Sequence, residues 1–391
     1  MVVKKVLYEE WWNPATGGAD KQAEKIREYI NKAYKEIKID KIANSNFINE
    51  SDEVFWESHL GKRAEKYPLE SLKTKNYDII HAHATGNKLV EFNKKCKAPT
   101  IYTAHSLVIR ELKEWGYSTN DAMKHSSAKV QDKMMKFSDI ITTPSEYIKD
   151  LIYEHYPDYS DKVIVIPNGT DFFKYKRDKK VAMKANQIRR KYSPNGEKLI
   201  GFVGRITADK GAVDLAKAFK SLLDLGYNVK LFYIGPIYRD SKMAIDQVLK
   251  GNEYKYMYVG SIDDEMNLAA WYKALDMVVL PTYHESFSLV GLECLAMGTP
   301  FVVSYIDGPK EILVDNRLAI GILPKDISSI RDGIRYVIEN SEWENKRAEK
   351  ASNIIEKKYS LDNISERWIN LYVDLYSTCN YKSVFLGDDN V

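Results

Sequence analysis

In the stretch YHESFSLVGLECLAMGTPFVVS, Tyr283 to Ser304, two carboxylates, Glu285 and Glu293, stand eight residues apart around a helix start rich in hydroxyls and apolar groups. The run DMVVLPT feeds this loop as a strand, and the pattern predicts a helix beginning near Phe287 or Ser288. The first turn of a helix leaves backbone N–H groups without intrahelical acceptors, which suits an anion such as a diphosphate. Two helical turns advance about 11 Å, so Glu285 and Glu293 reach different ends of an elongated ligand. Carboxylates accept hydrogen bonds from vicinal hydroxyls. One acid for each sugar of a nucleotide sugar, with the phosphates between them, fits this spacing. Taken singly, either acid reads as a helix cap or a solvated charge; the joint spacing is the informative part.

A second segment, GFVGRITADKG, places Gly204 and Arg205 at a strand end, with Lys210 and Gly211 where a helix begins. Glycines allow close backbone approach, and two cations can clamp a diphosphate. The GxxxxGK[ST] spacing of a Walker loop is absent. Alone, Arg205 and Lys210 would read as ordinary surface charges; the Glu285–Glu293 stretch changes that. The acidic triplet Asp263 to Glu265 precedes a helical pattern and reads as acids at a helix N-terminus rather than as a metal motif. Ligands in doubly wound sheets bind beyond the carboxyl ends of the strands. That filter selects Gly17, Gly18, His81, His83, His105, Asn168, Arg205, Lys210 and Gly235, besides the opening stretch. His105, in TAHSL, stands at a strand end. His81 and His83 alternate in a strand pattern and are read as facing opposite sides, sharing no metal, with at least one structural. His284 is read as shaping its loop.

These residues must be positioned by alternating strands and helices. The first half supplies KKVLYE, YDIIHAH, APTIYTAH, SDIITTPS and KVIVIPNG; the second supplies KLIGFVGR, NVKLFYIG, YKYMYVG, DMVVLP and TPFVVS. Short apolar runs alternating with helical patterns indicate parallel sheets with crossover helices, so both halves read as α/β. A length of 391 residues favours two domains. The turn-rich PNGTD, Pro167 to Asp171, marks the boundary. The helix AVDLAKAFKSLLDLG ends at Gly226, suited to a left-handed cap. The closing pattern SLDNISERWINLYVDLYS is an amphipathic helix with Trp368, Leu371 and Leu375 sharing a face.

Composition sets limits. The formal charge is only +3 against 58 basic and 55 acidic groups, which gives no reason to expect nucleic acid as a partner. The basic stretch Lys174 to Lys191 reads either as a solvated linker and helix face or as a peripheral lipid-headgroup contact. Cys96, Cys294 and Cys379 form no CxxC pair, arguing against a disulfide scaffold or zinc site. No signal-peptide pattern or membrane-spanning apolar run is present, so a cytoplasmic protein is expected, with the membrane surface open.

Taken together, HESFSLVGLECLAMGTPFVVS resembles the E-x7-E signature of retaining GT-B-fold glycosyltransferases of family four, which include sucrose-phosphate-synthase-like enzymes. GFVGRITADKG is similar to that family's GR…KG phosphate motif and VIPNGTD to its interdomain PNGVD segment. NPATGGADKQAEKI looks like its Gly-rich acceptor-side loop, and TAHSL like its His-bearing strand end. The resemblance spans nearly the whole chain.

It implies an α/β GT-B fold: two Rossmann-like, doubly wound parallel-sheet domains facing a central cleft. Residues 1–170 would form the acceptor-side domain, completed by a C-terminal helix over 360–391, and 171–359 the nucleotide-sugar-binding domain. It further implies that Arg205 and Lys210 bind the donor diphosphate, Glu285 the hexose and Glu293 the ribose. Backbone amides of Phe287, Ser288, Leu289 and Val290 would complete the phosphate cradle. His105 would lie near the transferred sugar, with Gly17, Gly18, Gly204 and Gly235 allowing close approach. Catalysis would rest on His105, Glu285, Arg205 and Lys210. Ser286 and Ser288 depart from the family, which often has Gly there.

The expected function is transfer of a hexose from a nucleoside-diphosphate sugar, by default UDP-glucose, to an acceptor hydroxyl with retention, without cofactor or metal. The acceptor class stays open among saccharide, polysaccharide and lipid-linked molecules, and the oligomeric state is not specified. Rivals are a sugar-nucleotide 2-epimerase of the same fold and a non-catalytic nucleotide-sugar-binding subunit. An NAD-dependent dehydrogenase is disfavoured because no GxGxxG follows the first strand.

Overall fold

The computed structural model describes residues 3–11, 18–44, 53–57, 65–68, 76–83, 98–114, 116–314 and 317–385. The chain divides into two compact units, Met1–Asn168 with Leu361–Val391, and Gly169–Ser360. The chain therefore passes from one unit to the other twice, after Asn168 and after Ser360.

In the first unit β1 (Lys5–Trp11), β2 (Lys38–Asn44), β3 (Glu53–Glu57), β4 (Glu65–Pro68), β5 (Ile79–Ala82), β6 (Thr100–Thr103), β7 (Ile140–Thr143) and β8 (Val163–Val165) form one sheet. Its order is β4-β3-β2-β1-β5-β6-β7-β8. The β2-to-β8 part is parallel, but β3 runs antiparallel to both β2 and β4, so this sheet is mixed rather than wholly parallel. Strand alternation assigns Leu7, Ile80, Ala82 and Tyr102 to one apolar cluster and Val6, Tyr8, Ile79 and Ile101 to another, one on each face. The helix Leu361–Phe385 covers the second with Leu361, Ile364, Trp368, Tyr372 and Leu375. Trp368 and Leu375 are buried as expected, but Leu371 is half-buried at the stripe's edge and Tyr372 takes its central place.

Strand β2 escaped the sequence reading because Lys38, Asp40 and Lys41 break its apolar run. Asp40 and Lys41 are nevertheless buried. The Tyr77 hydroxyl donates to Asp40 at 2.8 Å, and Lys41 pairs with Glu24 at 3.7 Å. A buried charge needs such a partner, and spacing along the chain does not reveal it.

In the second unit β9 (Lys198–Val203), β10 (Val229–Ile234), β11 (Tyr256–Gly260), β12 (Met277–Leu280), β13 (Phe301–Ser304) and β14 (Ile320–Ile322) form a parallel sheet, ordered β11-β10-β9-β12-β13-β14. Counted within the unit this is 3-2-1-4-5-6, the doubly wound order whose direction reverses between β9 and β12. Every residue of β12, β13 and β9 beyond Lys198 is buried, which accounts for their nearly continuous apolar sequence. All ten runs named from sequence become strands; β2, β3, β4 and the three-residue β14 are additional among the described residues. No helix among the described residues is long and apolar enough to cross a membrane.

Trp368 is 2% exposed and lies with its ring 4.7 Å from that of His81. Trp368→Ala is expected to destabilise the first unit by about 3–5 kcal/mol through lost burial and a cavity. Urea unfolding followed by a probe in this unit checks it; a change below about 1 kcal/mol would show that the closing helix does not hold this face.

Candidate functional site

The two loops singled out from sequence follow β9 and β12, the strands flanking the reversal. At the end of β9, Gly204 has φ +126°, and at the end of β10, Gly235 has φ +137°. A Cβ on Gly235 would stand 2.0 Å from the Gly204 carbonyl oxygen, so the strand ends approach closely only because Gly235 has no side chain. The Arg205 side chain is exposed, and among the described residues it has no carboxylate partner. Further along the same loop, Lys210 turns to the β12 loop: Nζ donates to Glu285 Oε2 at 2.8 Å and to the His284 carbonyl at 3.2 Å. The Tyr283 amide donates back to the Asp209 carbonyl at 2.8 Å, and the Tyr283 hydroxyl to Asp214 at 2.6 Å. The structure thus brings Lys210 and Glu285 together, each half-buried.

A third segment, unmarked by the sequence reading, fixes the same loop. After β13, Asp307 accepts from the Glu285 amide at 3.3 Å and lies 3.8 Å from His284 Nδ1, and the Gly308 amide donates to the Glu285 carbonyl at 3.1 Å. A Cβ on Gly308 would meet the Ser286 carbonyl oxygen at 2.1 Å. The Asp-Gly-Pro turn sequence was the available signal.

The helix begins just after the expected start, as Leu289–Ala296 with Ser288 as N-cap. Ser288 sits at φ +82°, a left-handed conformation ordinarily given to Gly, and its Oγ accepts from the Gly291 amide at 3.2 Å. This explains how a Ser can stand at a left-handed position: the cap hydrogen bond offsets backbone strain. The Gly291 amide is consumed by the cap, while the first-turn amides of Leu289 and Val290 have no intrahelical acceptor. The Phe287 side chain is buried against Tyr359, with ring centroids 6.0 Å apart, so only its backbone is available to a ligand. On the second turn Glu293 accepts from the Tyr272 hydroxyl at 3.0 Å. Tyr272 was missed because nothing in its own helix pattern shows which carboxylate it meets.

In the first unit His81 and His83 do not face opposite sides. Residues two apart on a strand share a face, and their ring centroids lie 4.0 Å apart. His81 is scaffold: Nδ1 bonds the Tyr372 hydroxyl at 2.9 Å and Nε2 the Thr103 hydroxyl at 2.7 Å. His83 Nδ1 meets His105 Nε2 at 3.2 Å. Burial lowers the pKa of His81 and His83 well below the usual imidazole value, with neighbouring histidines adding to the effect. His105, half-buried, is also desolvated by the protein around it, to about 4. Gly18 opens the helix Gly18–Ala33; Gly17 lies outside the described residues. Among the described residues no group of three or more His, Cys, Asp or Glu side chains could hold a metal.

Such a pair of doubly wound units, one with a cation-bearing loop and an acid-flanked helix start at its reversal, defines a GT-B-type glycosyltransferase. Family models agree: residues 183–358 match "Glycosyl transferases group 1" and residues 58–172 match "Glycosyltransferase Family 4". The chain is 30% identical to an uncharacterized glycosyltransferase of Methanocaldococcus jannaschii, over 81% of this chain and 80% of that protein. It is 24% identical to a glycogen synthase of Mycobacterium tuberculosis, over 76% and 68%. Among solved structures it resembles Anabaena HepE in complex with UDP-glucose (TM-score 0.73, 17% identity, 96% and 99% covered). It also resembles sucrose-phosphate synthase from Thermosynechococcus elongatus (TM-score 0.72, 16% identity, 96% and 100% covered). The chain belongs to the group 1, family-four glycosyltransferases.

Ser288→Ala keeps the strained backbone and removes the cap, and is expected to cost about 1–2 kcal/mol. Ser288→Gly relieves the strain and is expected to be neutral or to stabilise by up to about 1 kcal/mol. Equal effects of the two in thermal unfolding would contradict the left-handed cap.

The histidines predict acid sensitivity. Their folded pKa values are depressed, so on acidification the unfolded chain takes up protons first, near pH 6.5. Stability is full above about pH 7.5 and falls as the pH drops through 6.5 toward the folded values, by up to about 1.4 kcal/mol per pH unit for each imidazole. Urea midpoints of the first unit measured from about pH 7.5 to 5.5 should fall steadily; a flat profile would mean these rings are not held neutral.

Proposed function

We propose that this glycosyltransferase transfers a hexose from a nucleoside-diphosphate sugar to an acceptor hydroxyl with retention of configuration. The observation that carries the reading is the junction at the reversal of the second sheet, where Lys210 of the β9 loop meets Glu285 of the β12 loop at 2.8 Å beside the start of the Leu289–Ala296 helix. A diphosphate placed there is met by Arg205, Lys210 and the amides of Leu289 and Val290. Glu285 then takes hexose hydroxyls, and Glu293, steadied by Tyr272, takes the ribose diol. His105 and the Gly17–Gly18 loop are assigned to the transferred sugar and its acceptor by resemblance.

Leaving-group departure builds negative charge on the diphosphate, and fixed cations and amides aimed at that charge lower the barrier. Arg205, Lys210 and the helix start supply this without calling on a metal. Double displacement would need a carboxylate on the opposite face of the sugar, and no first-unit Asp or Glu stands out for it. Front-side attack, with the departing phosphate taking the acceptor proton, is therefore favoured; trapping a covalent glycosyl-enzyme would refute it. The bound UDP-glucose of the HepE structure supports UDP-glucose as the first donor to try. The acceptor is a saccharide, polysaccharide or lipid-linked hydroxyl.

The test begins with thermal stabilisation by a panel of nucleotide sugars, since a ligand bound only by the folded state raises its stability. Product analysis then separates transfer from 2-epimerisation. With the best donor, Arg205→Ala should lower turnover by at least about a hundredfold while leaving the melting temperature unchanged. Near-normal turnover would remove Arg205, and with it the diphosphate assignment, from the site.

A further inference from the structure

His83 follows β5 and His105 follows β6, so the two stand at the carboxyl ends of neighbouring parallel strands, next to the β1–β5 reversal of the first sheet. Their rings are nearly parallel, at 25° and 5.4 Å between centroids, with His83 Nδ1 3.2 Å from His105 Nε2. Between two neutral imidazoles one nitrogen carries the shared proton and the other is bare.

The rest of the environment decides which. His83 Nε2 is buried and, among the described residues, has no hydrogen-bond partner. A proton there would leave a buried N–H orphaned, an arrangement folded proteins almost never keep, whereas an unpaired acceptor lone pair is better tolerated. The proton of His83 therefore sits on Nδ1 and is donated to His105. The His83 ring is held for this task by Tyr8 and His81, at centroid distances of 4.7 and 4.0 Å. His81 is in turn fixed by Tyr372 and by Thr103, whose hydroxyl bonds Thr142 at 2.7 Å.

We infer that His83 is a positioning residue: by donating from Nδ1 to Nε2 of His105 it holds His105 in the tautomer that carries its proton on Nδ1. The inference rests on the glycosyltransferase reading only where it concerns turnover. Its chemical consequence is that His105 offers the substrate a neutral N–H donor, suited to a sugar hydroxyl or a developing oxyanion, rather than a bare nitrogen acting as base. Sequence did not link the two residues, since they follow different strands and no periodic spacing joins them.

The experiment uses the full chain labelled with ¹⁵N-histidine and long-range ¹H–¹⁵N correlation spectra, with the His105 signals assigned from their loss in His105→Asn. The expected wild-type pattern is a protonated Nδ1 and a bare Nε2 at His105. His83→Phe keeps a flat ring between Tyr8 and His81 but has no N–H. It should shift His105 toward the other tautomer and lower kcat by about tenfold, the scale of one lost hydrogen bond, with the donor KM within about threefold. His83→Asn, whose amide N–H can replace Nδ1–H, should restore both tautomer and kcat to within about threefold of wild type. A protonated Nε2 at His105 in the wild type, or an unchanged tautomer in His83→Phe, overturns the inference; should that variant not fold, the wild-type spectrum and His83→Asn decide it. If the tautomer follows His83 while kcat does not, the assignment of His105 to the transferred sugar fails and the His83–His105 bond stands.

Discussion

The reversal of strand order between β9 and β12 is the constraint on which the site depends. Crossovers from strands on either side of such a reversal leave toward opposite faces of the sheet, and a crevice remains beyond the strand ends. The loops that follow β9 and β12 meet there. Beside the Lys210–Glu285 and Tyr283–Asp214 side-chain contacts, the loops and the segment after β13 are joined through the backbone: Tyr283 to Asp209, Lys210 to the His284 carbonyl, Gly308 to Glu285. Backbone partners are indifferent to side-chain identity, except where a Cβ would intrude, and Gly235 and Gly308 occupy such positions.

Charge at this edge is arranged in advance of any ligand. The Lys210 ammonium and Glu285 carboxylate, both partly withdrawn from water, hold each other at 2.8 Å, which limits the cost of removing either from solvent. Arg205 stays exposed, available to an anion arriving from outside. Glu293 is anchored from behind by the Tyr272 hydroxyl, which orients its carboxylate. Under the proposed function a diphosphate entering such a place would meet Lys210 and the first-turn amides already fixed in direction, leaving less reorganisation for the reaction itself.

The first unit solves a different problem. Three imidazoles are packed close together, and burial makes their protonation unfavourable. Neutral rings can pack at 4.0 Å without charge repulsion, so His81 bonds Tyr372 and Thr103 while His83 bonds His105. The helix that closes the unit contributes Trp368 and Tyr372 to the network, so it serves the histidines as well as the apolar core.

Buried parallel strands announce themselves because both faces exclude water, so runs such as LIGFV and MVVL were legible without a structure. The Glu285–Glu293 spacing and the Gly-Arg…Lys-Gly segment were legible for a related reason: strand-to-helix junctions have fixed local geometry, and residue types there reflect it. Strand β2 was hidden by Asp40 and Lys41, whose partners Tyr77 and Glu24 are distant in sequence. The histidine pair was misread by assigning i and i+2 to opposite faces, when a strand's period of two puts them on one. By itself, then, the sequence determined the α/β class, and it put forward a boundary at the PNGTD turn and a set of candidate site residues, because each of these readings depends on local periodicity and junction geometry. Which carboxylate faces Lys210, which tyrosine steadies Glu293 and which histidine meets His105 were decided only by tertiary structure, because those pairings join strands and helices whose separation along the chain carries no information about their distance in space.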